Sequence, residues 1–310
     1  MYNLEFLITK RCNQTCYYCN NAKYQSENNL VEIDLDYIDW ILKTYKKFGV
    51  DKIRIEISGG EPGIIKNFTD LIELFNSKKY ITKIFLLSNG LIRKRFGNDI
   101  RELIGSKFDA YHEHTALDID DKNILYFYPE LTYYNSNKDT THVLVLDDIT
   151  VNSLLNNFDY FKEHNLYNCN IDFKLLTPKV FYPEDELINK SKEFYNKLKS
   201  VKNSINFSDM FAEAINKFIS RKLNTKSTSI CSKISDLQYI DVEDKLIGQC
   251  SMQVEQCQKI DITENNIETV LKGLAFEKNK FCENCYKYNE KLNMFYLERL
   301  VRNNYNNMKG

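Results

Sequence analysis

Six times along the chain a short β-branched run is followed by a longer segment of helical periodicity. The runs lie near 3–9, 52–57, 82–87, 108–114, 141–147 and 169–176, and the helical segments at 34–48, 66–78, 96–104, 120–127, 151–164 and 184–200. Polar caps such as Asp34 and Asn152 stand where helices should begin. Strands separated by helices pair in parallel, which defines an α/β fold. Six such units predict an open, partial (β/α)6 TIM-like barrel over residues 1–205. In that architecture the functional loops leave the C-terminal ends of the strands.

Period-two reading assigns the faces of these strands. In the second strand Ile53, Ile55 and Ile57 alternate with Arg54, Glu56 and Ser58; in the sixth, Cys169, Ile171, Phe173 and Leu175 alternate with Asn170, Asp172 and Lys174. With the apolar face against the helices, the charged residues line the interior, and the fourth strand adds His112 and His114. A lining of that kind suits a polar, hydrogen-bonding substrate and not a lipid.

Directly after the first strand, Cys12, Cys16 and Cys19 stand within eight residues in the order CX3CX2C. Three thiols on a loop leaving a strand can hold three irons of a [4Fe-4S] cube and leave the fourth open for an outside ligand. A closed zinc site wants four ligands, and no fourth cysteine stands nearby. The chain has 9 cysteines, and residues 1–20 lack an apolar signal core, so a cytosolic location with metal or redox chemistry is expected. Lys plus Arg number 42 against 43 Asp plus Glu, which gives no electrostatic footprint for nucleic acid. No apolar run reaches the length of a membrane span. Of only 10 glycines, three fall at 59, 60 and 63, where a backbone must turn tightly or let a ligand approach.

These residues together resemble the radical S-adenosylmethionine (SAM) enzymes. The resemblance rests on the CX3CX2C run with Asn13 after its first cysteine and Tyr18 before its last. It rests also on Ser58-Gly59-Gly60-Glu61-Pro62, similar to the GGEP motif, and on Ser88-Asn89-Gly90, similar to the S/T-N-G ending of the third strand. It implies that Cys12, Cys16 and Cys19 hold a [4Fe-4S] cluster whose fourth iron is chelated by SAM. An electron from the cluster then breaks the sulfonium C–S bond, and the 5′-deoxyadenosyl radical takes a hydrogen atom from substrate. Gly59, Gly60, Glu61 and Pro62 are implied at SAM's amino group, and Ser88 and Asn89 at its ribose or methionine end. Tyr18 is implied near the adenine. His114, or His112, is implied as a polar contact at the fourth strand; the pair also reads as a metal site or as part of a polar interior.

Beyond residue 205 the pattern changes. Helical segments are expected at 208–222, 266–276 and 287–305, and a hairpin at 237–250 turning at Glu243-Asp244. Cys231, Cys250, Cys282 and Cys285 give two single cysteines and a CX2C pair. That set is similar to the twitch extension, the shortened SPASM domain, which implies a small C-terminal α+β domain over 206–310 with a second [4Fe-4S] cluster. A zinc knuckle on the same thiolates is the alternative. Cys169 reads as a packed core thiol. Cys257 reads as an alternative cluster ligand, a hydrogen-atom donor to a substrate radical, or an inert surface thiol.

The expected function is reductive cleavage of SAM and hydrogen abstraction from a polar peptide or carbohydrate-like metabolite, with net oxidation or modification of that substrate and an external electron donor such as flavodoxin or ferredoxin. An epimerase that uses Cys257 as hydrogen donor, and a non-catalytic iron–sulfur or zinc scaffold, are the alternatives. The first strand begins near residue 3, so a peptide substrate would be recognised by a separate partner.

Overall fold

The computed structural model describes residues 1–14, 16, 19, 29–114, 139–146, 148–163, 171–175, 185–201, 237–248, 259–263 and 265–266, with the backbone alone in β6 and at scattered other positions. In chain order the elements are β1 Tyr2–Leu7, α1 Leu35–Lys47, β2 Ile53–Ser58, α2 Phe68–Ser77, β3 Ile81–Ser88, α3 Leu91–Phe96, α4 Ile100–Ile104 and β4 Phe108–His114. They continue with β5 Thr140–Leu146, α5 Asp148–Asn156, α6 Phe158–Glu163, β6 Ile171–Leu175, α7 Asp185–Val201, β7 Leu237–Asp241, β8 Leu246–Gly248 and β9 Lys259–Asp261. The chain divides into two units, residues 1–114 with 233–281 and residues 115–232 with 282–310.

In the first unit the strands follow the order β4-β3-β2-β1-β7-β8-β9. β1 to β4 are parallel to their neighbours, with Leu4 beside Ile55 and Phe6 beside Ile57. Ile53, Ile55 and Ile57 are fully buried, as their alternation predicts, and join Leu4, Phe6, Ile84 and Leu86 in one core. The helices supply the other half of that core. Tyr37, Ile38, Ile41, Leu42 and Tyr45 recur at helical spacing on α1, and Phe68, Leu71, Ile72 and Phe75 on α2. Phe6 and Phe75 meet with ring centroids 5.8 Å apart. Asp34 caps α1 by accepting from Tyr37 N at 2.9 Å.

The opposite face of the sheet carries the charged partners of the alternation. Arg54 Nε donates to Asp109 Oδ2 at 2.6 Å, Lys83 Nζ lies 3.1 Å from Asp109 Oδ1, and Arg54 Nη1 lies 3.6 Å from Glu56. Burial pushes the Asp109 carboxyl up, but Arg54 and Lys83 outweigh it and hold the group below its ordinary value. His112 sets its ring edge-on to Phe85 at 4.7 Å.

The hairpin expected near 237–250 forms as β7 and β8, paired antiparallel, and β9 continues the meander. The sequence pattern does not show what β7 does with its other edge: it pairs in parallel with β1, Glu5 beside Tyr239 and Leu7 beside Asp241. The segment expected as one helix at 96–104 is two, α3 and α4. The chain breaks at Gly97, whose φ of +100° an L residue rarely adopts, and restarts where Asp99 caps Glu102 N. In the second unit β5 and β6 form a parallel pair, His142 beside Ile171 and Leu146 beside Leu175. Val151 and Leu154 of α5 and Phe194 and Leu198 of α7 are buried there, and Phe158 meets Phe194 edge-on at 6.2 Å. The six strands expected in the barrel are present, and within each unit they pair in parallel, which establishes the α/β class. The helices expected at 120–127, 208–222 and 287–305 lie outside the described residues, as does the boundary at 205/206.

Candidate active site

The three motifs leave the C-terminal ends of β1, β2 and β3, and hydrogen bonds join them into one body. Residues 9–11 run from β1 to Cys12. Gly60 N donates to Thr9 O at 2.7 Å and Glu61 N to Arg11 O at 2.9 Å. A Cβ on Gly60 would sit inside van der Waals contact with the Arg11 carbonyl, so this close approach requires glycine. The far end of the cysteine loop is tied to the same place: Val31 N donates to Ile64 O at 3.0 Å and Lys66 N to Val31 O at 2.6 Å. The Asn67 side chain also brackets Ile33, accepting from its N–H at 3.1 Å and donating to its carbonyl at 2.9 Å.

Cys12 is buried, and Cys16 and Cys19 are half-buried. Cys19 N donates to Cys16 O at 3.0 Å, which turns the backbone between them. Cys12 Sγ accepts from Gln14 N at 3.4 Å and from Asn89 Nδ2 at 3.6 Å, and N–H donors of this kind stabilise an anionic sulfur. Burial pushes the Cys12 thiol up to about 11, so it ionises near neutrality only against a cationic partner. Among the described residues no three His, Cys, Asp or Glu side chains converge on a single ion. A cube with one thiolate per iron does not call for such convergence. The donor set and its N–H···S bonds therefore fit a cluster.

Glu61 is fully buried. Its Oε1 accepts from Gly63 N at 2.7 Å and Ser88 Oγ at 2.8 Å, and its Oε2 accepts from Asn89 N at 2.6 Å. Burial pushes its carboxyl up to about 7 against the downward pull of those donors. These bonds make Glu61 a tie between the second and third motifs. Ser88 is likewise buried, and its hydroxyl also accepts from Gly90 N at 3.0 Å. Asn89 reaches the other way, donating to Asn13 Oδ1 at 2.9 Å as well as to Cys12. Pro62 opens the short 3-10 turn Pro62–Ile64 and is buried.

Three supporting residues, Glu113, Arg93 and Arg95, escaped the sequence reading. Glu113, buried near the end of β4, accepts from Tyr111 Oη at 2.9 Å and from Arg93 Nε at 3.2 Å. Arg95 donates to the carbonyls of Gly63, at 2.5 Å, and Ile65, at 2.9 Å. The charged run Arg93-Lys94-Arg95 following the third motif was the signal available for both arginines. His114 ends β4 and is half-buried. Tyr18, Cys169, Cys231, Cys250, Cys257, Cys282 and Cys285 lie outside the described residues, as do the side chains of Asp172 and Lys174.

The first three strand ends of the parallel sheet thus carry CX3CX2C, GGEP and SNG in turn. Residues 6–116 match the family model of the Radical SAM superfamily, so that stretch of the chain is similar to a radical SAM domain. It is 28% identical over 186 residues to the GTP 3′,8-cyclase of Staphylococcus epidermidis, covering 55% of this chain and 54% of that protein. It is 34% identical over 100 residues to the probable GTP 3′,8-cyclase of Methanocaldococcus jannaschii, 32% of each chain. The chain thus spans about half the length of the first of these relatives. Its fold is similar to that of native anSMEcpe with bound AdoMet, with a TM-score of 0.56 at 15% identity over 99% of this chain and 100% of that one. Among the described residues, no helix is long and apolar enough to cross a membrane.

Proposed function

We propose that the chain cleaves SAM reductively and removes a hydrogen atom from a polar substrate. The observation that carries this reading is the tie between the three motifs, with the loop of Cys12, Cys16 and Cys19 fixed to the Gly60-Glu61 turn and to Asn89. When bound, a [4Fe-4S] cluster supplies the electron that breaks SAM's sulfonium bond and so furnishes a hydrogen-abstracting radical. Cys12, Cys16 and Cys19 would hold that cluster, and Gln14 and Asn89 would tune it through N–H···S bonds. Gly59, Gly60 and Pro62 would shape the backbone turn that meets SAM, while Glu61 and Ser88 support the turn from beneath. Tyr18 and His114 complete the proposed SAM contacts.

The substrate is proposed to be a peptide or sugar-like metabolite, and the cyclase relatives add a nucleotide to the polar classes worth offering. Cys231, Cys250, Cys282 and Cys285 are proposed to hold a second, twitch-like cluster over residues 206–310. Such a site, with every iron held by protein, would pass the electron given up by the substrate radical, with flavodoxin or ferredoxin as the external donor and the cytosol as the location. Anaerobically reconstituted, dithionite-reduced protein should show the EPR signal of a reduced cube, and added SAM should shift it. A reduced cluster whose signal ignores SAM would sink this reading.

A further inference from the structure

We propose that the turn of the C-terminal hairpin, residues 241–245, is a positioning clamp for the cysteine loop, an inference that rests on the cluster assignment above. Residues 9–11 deliver Cys12. On one side they are held by the Gly60-Glu61 turn; on the other they are held by the hairpin. Glu243 grips them with both oxygens: Oε1 accepts from Thr9 Oγ1 at 2.7 Å and Oε2 from Lys10 N at 3.1 Å. The Thr9 hydroxyl, having donated to Glu243, accepts from Arg11 N at 3.1 Å. Val242 N closes the contact by donating to Leu7 O at 3.0 Å.

The neighbouring charges bind the same two segments. Lys10 is 3% exposed, and its Nζ lies 3.0 Å from Asp241 Oδ2 and against Asp244 Oδ2. Asp241 is fully buried and also accepts from Asp244 N at 3.1 Å, which shapes the turn. A buried ammonium between two carboxylates tolerates little displacement, because moving it leaves a charge without its partner. The two segments are more than 230 residues apart in sequence, so this contact exists only because β7 pairs with β1. β8 of the same hairpin ends at Gly248, and in sequence Cys250 stands two residues on. The clamp thus ties the strand that leads into the second cysteine set to the strand that leads into the first.

Glu243→Ala tests this, since Glu243 is an exposed turn residue whose removal leaves the core intact. In the full chain, amide hydrogen exchange at Lys10 and Arg11 should quicken by about tenfold or more, the worth of one charge-assisted hydrogen bond. In the reconstituted protein the midpoint potential of the front cluster and the SAM-induced EPR shift should both change, and Glu243→Gln should restore part of each. A global unfolding midpoint close to that of the parent would separate the clamp from general destabilisation. Unchanged exchange at residues 9–12 overturns the proposal whether or not a cluster is present. Faster exchange with an unaltered potential and unaltered SAM response also overturns it. Failure of the parent protein to respond to SAM would count against the cluster assignment alone, with the exchange experiment still deciding the clamp.

Discussion

At Glu61, one side chain carries both the best-known part of a motif and a buried structural load. Its Oε1 has two donors and its Oε2 has Asn89 N at 2.6 Å, so a glutamine there must aim its NH2 at a donor in either orientation. Glu61→Gln is expected to cost about 1–3 kcal/mol in urea unfolding, the range for a buried donor left without its acceptor. It should also change the pH profile. With the folded carboxyl at about 7 and its ordinary value at 4.5, the folded state holds a proton that the unfolded state has lost across that interval. Stability therefore falls as pH rises from 4.5 to 7, and Glu61→Gln should flatten that slope. Equal slopes in the two proteins would contradict the burial argument. The motif names the residue type from sequence but not its direction. Ser88 and Asn89 N–H are what turn the carboxylate inward, and they come from the last residue of β3 and the one after it, 27 and 28 residues away.

Among the elements, β2, β3 and β4 are joined on their charged face by Arg54, Lys83 and Asp109. Asp109→Asn should lower stability at neutral pH by roughly 1–3 kcal/mol, since it leaves Arg54 half-buried with a weakened partner. Because the folded carboxyl lies below its ordinary 3.8, its contribution is present above that value and is lost as pH falls through the folded pKa. The parent should thus lose more stability between neutral pH and pH 3 than Asp109→Asn does; equal losses would remove Asp109 from the account. The strands were legible because β-branched runs and period-two alternation report local backbone and one buried face. Ile53, Ile55 and Ile57 are the clearest case. The partner of β7 was not legible, because a parallel pairing across more than 230 residues leaves no trace in local periodicity. The break at Gly97 was available in Gly97-Asn98-Asp99, yet the apolar pattern on either side runs on as one helix.

For the whole molecule the two proposed cysteine sets separate two jobs. Reconstituted protein should bind about eight irons, two cubes, and changing Cys12, Cys16 and Cys19 together to Ala should leave about four. Saturation of the parent at about four would remove the second cluster. Cys282→Ala with Cys285→Ala should leave SAM cleavage largely intact while suppressing product, whereas Cys257→Ala should block turnover only in an epimerase. Full product yield from the double variant, its rear cluster shown absent, would refute the electron-transfer role. The account as a whole stands on whether this chain breaks SAM at the three-cysteine loop. The direct measurement is 5′-deoxyadenosine formed from SAM by the anaerobic, reduced protein, compared with the Cys12, Cys16 and Cys19 triple Ala variant. Formation in the parent and none in the variant is the expected result; no formation in the parent with its cluster loaded, or equal formation in both, would contradict it.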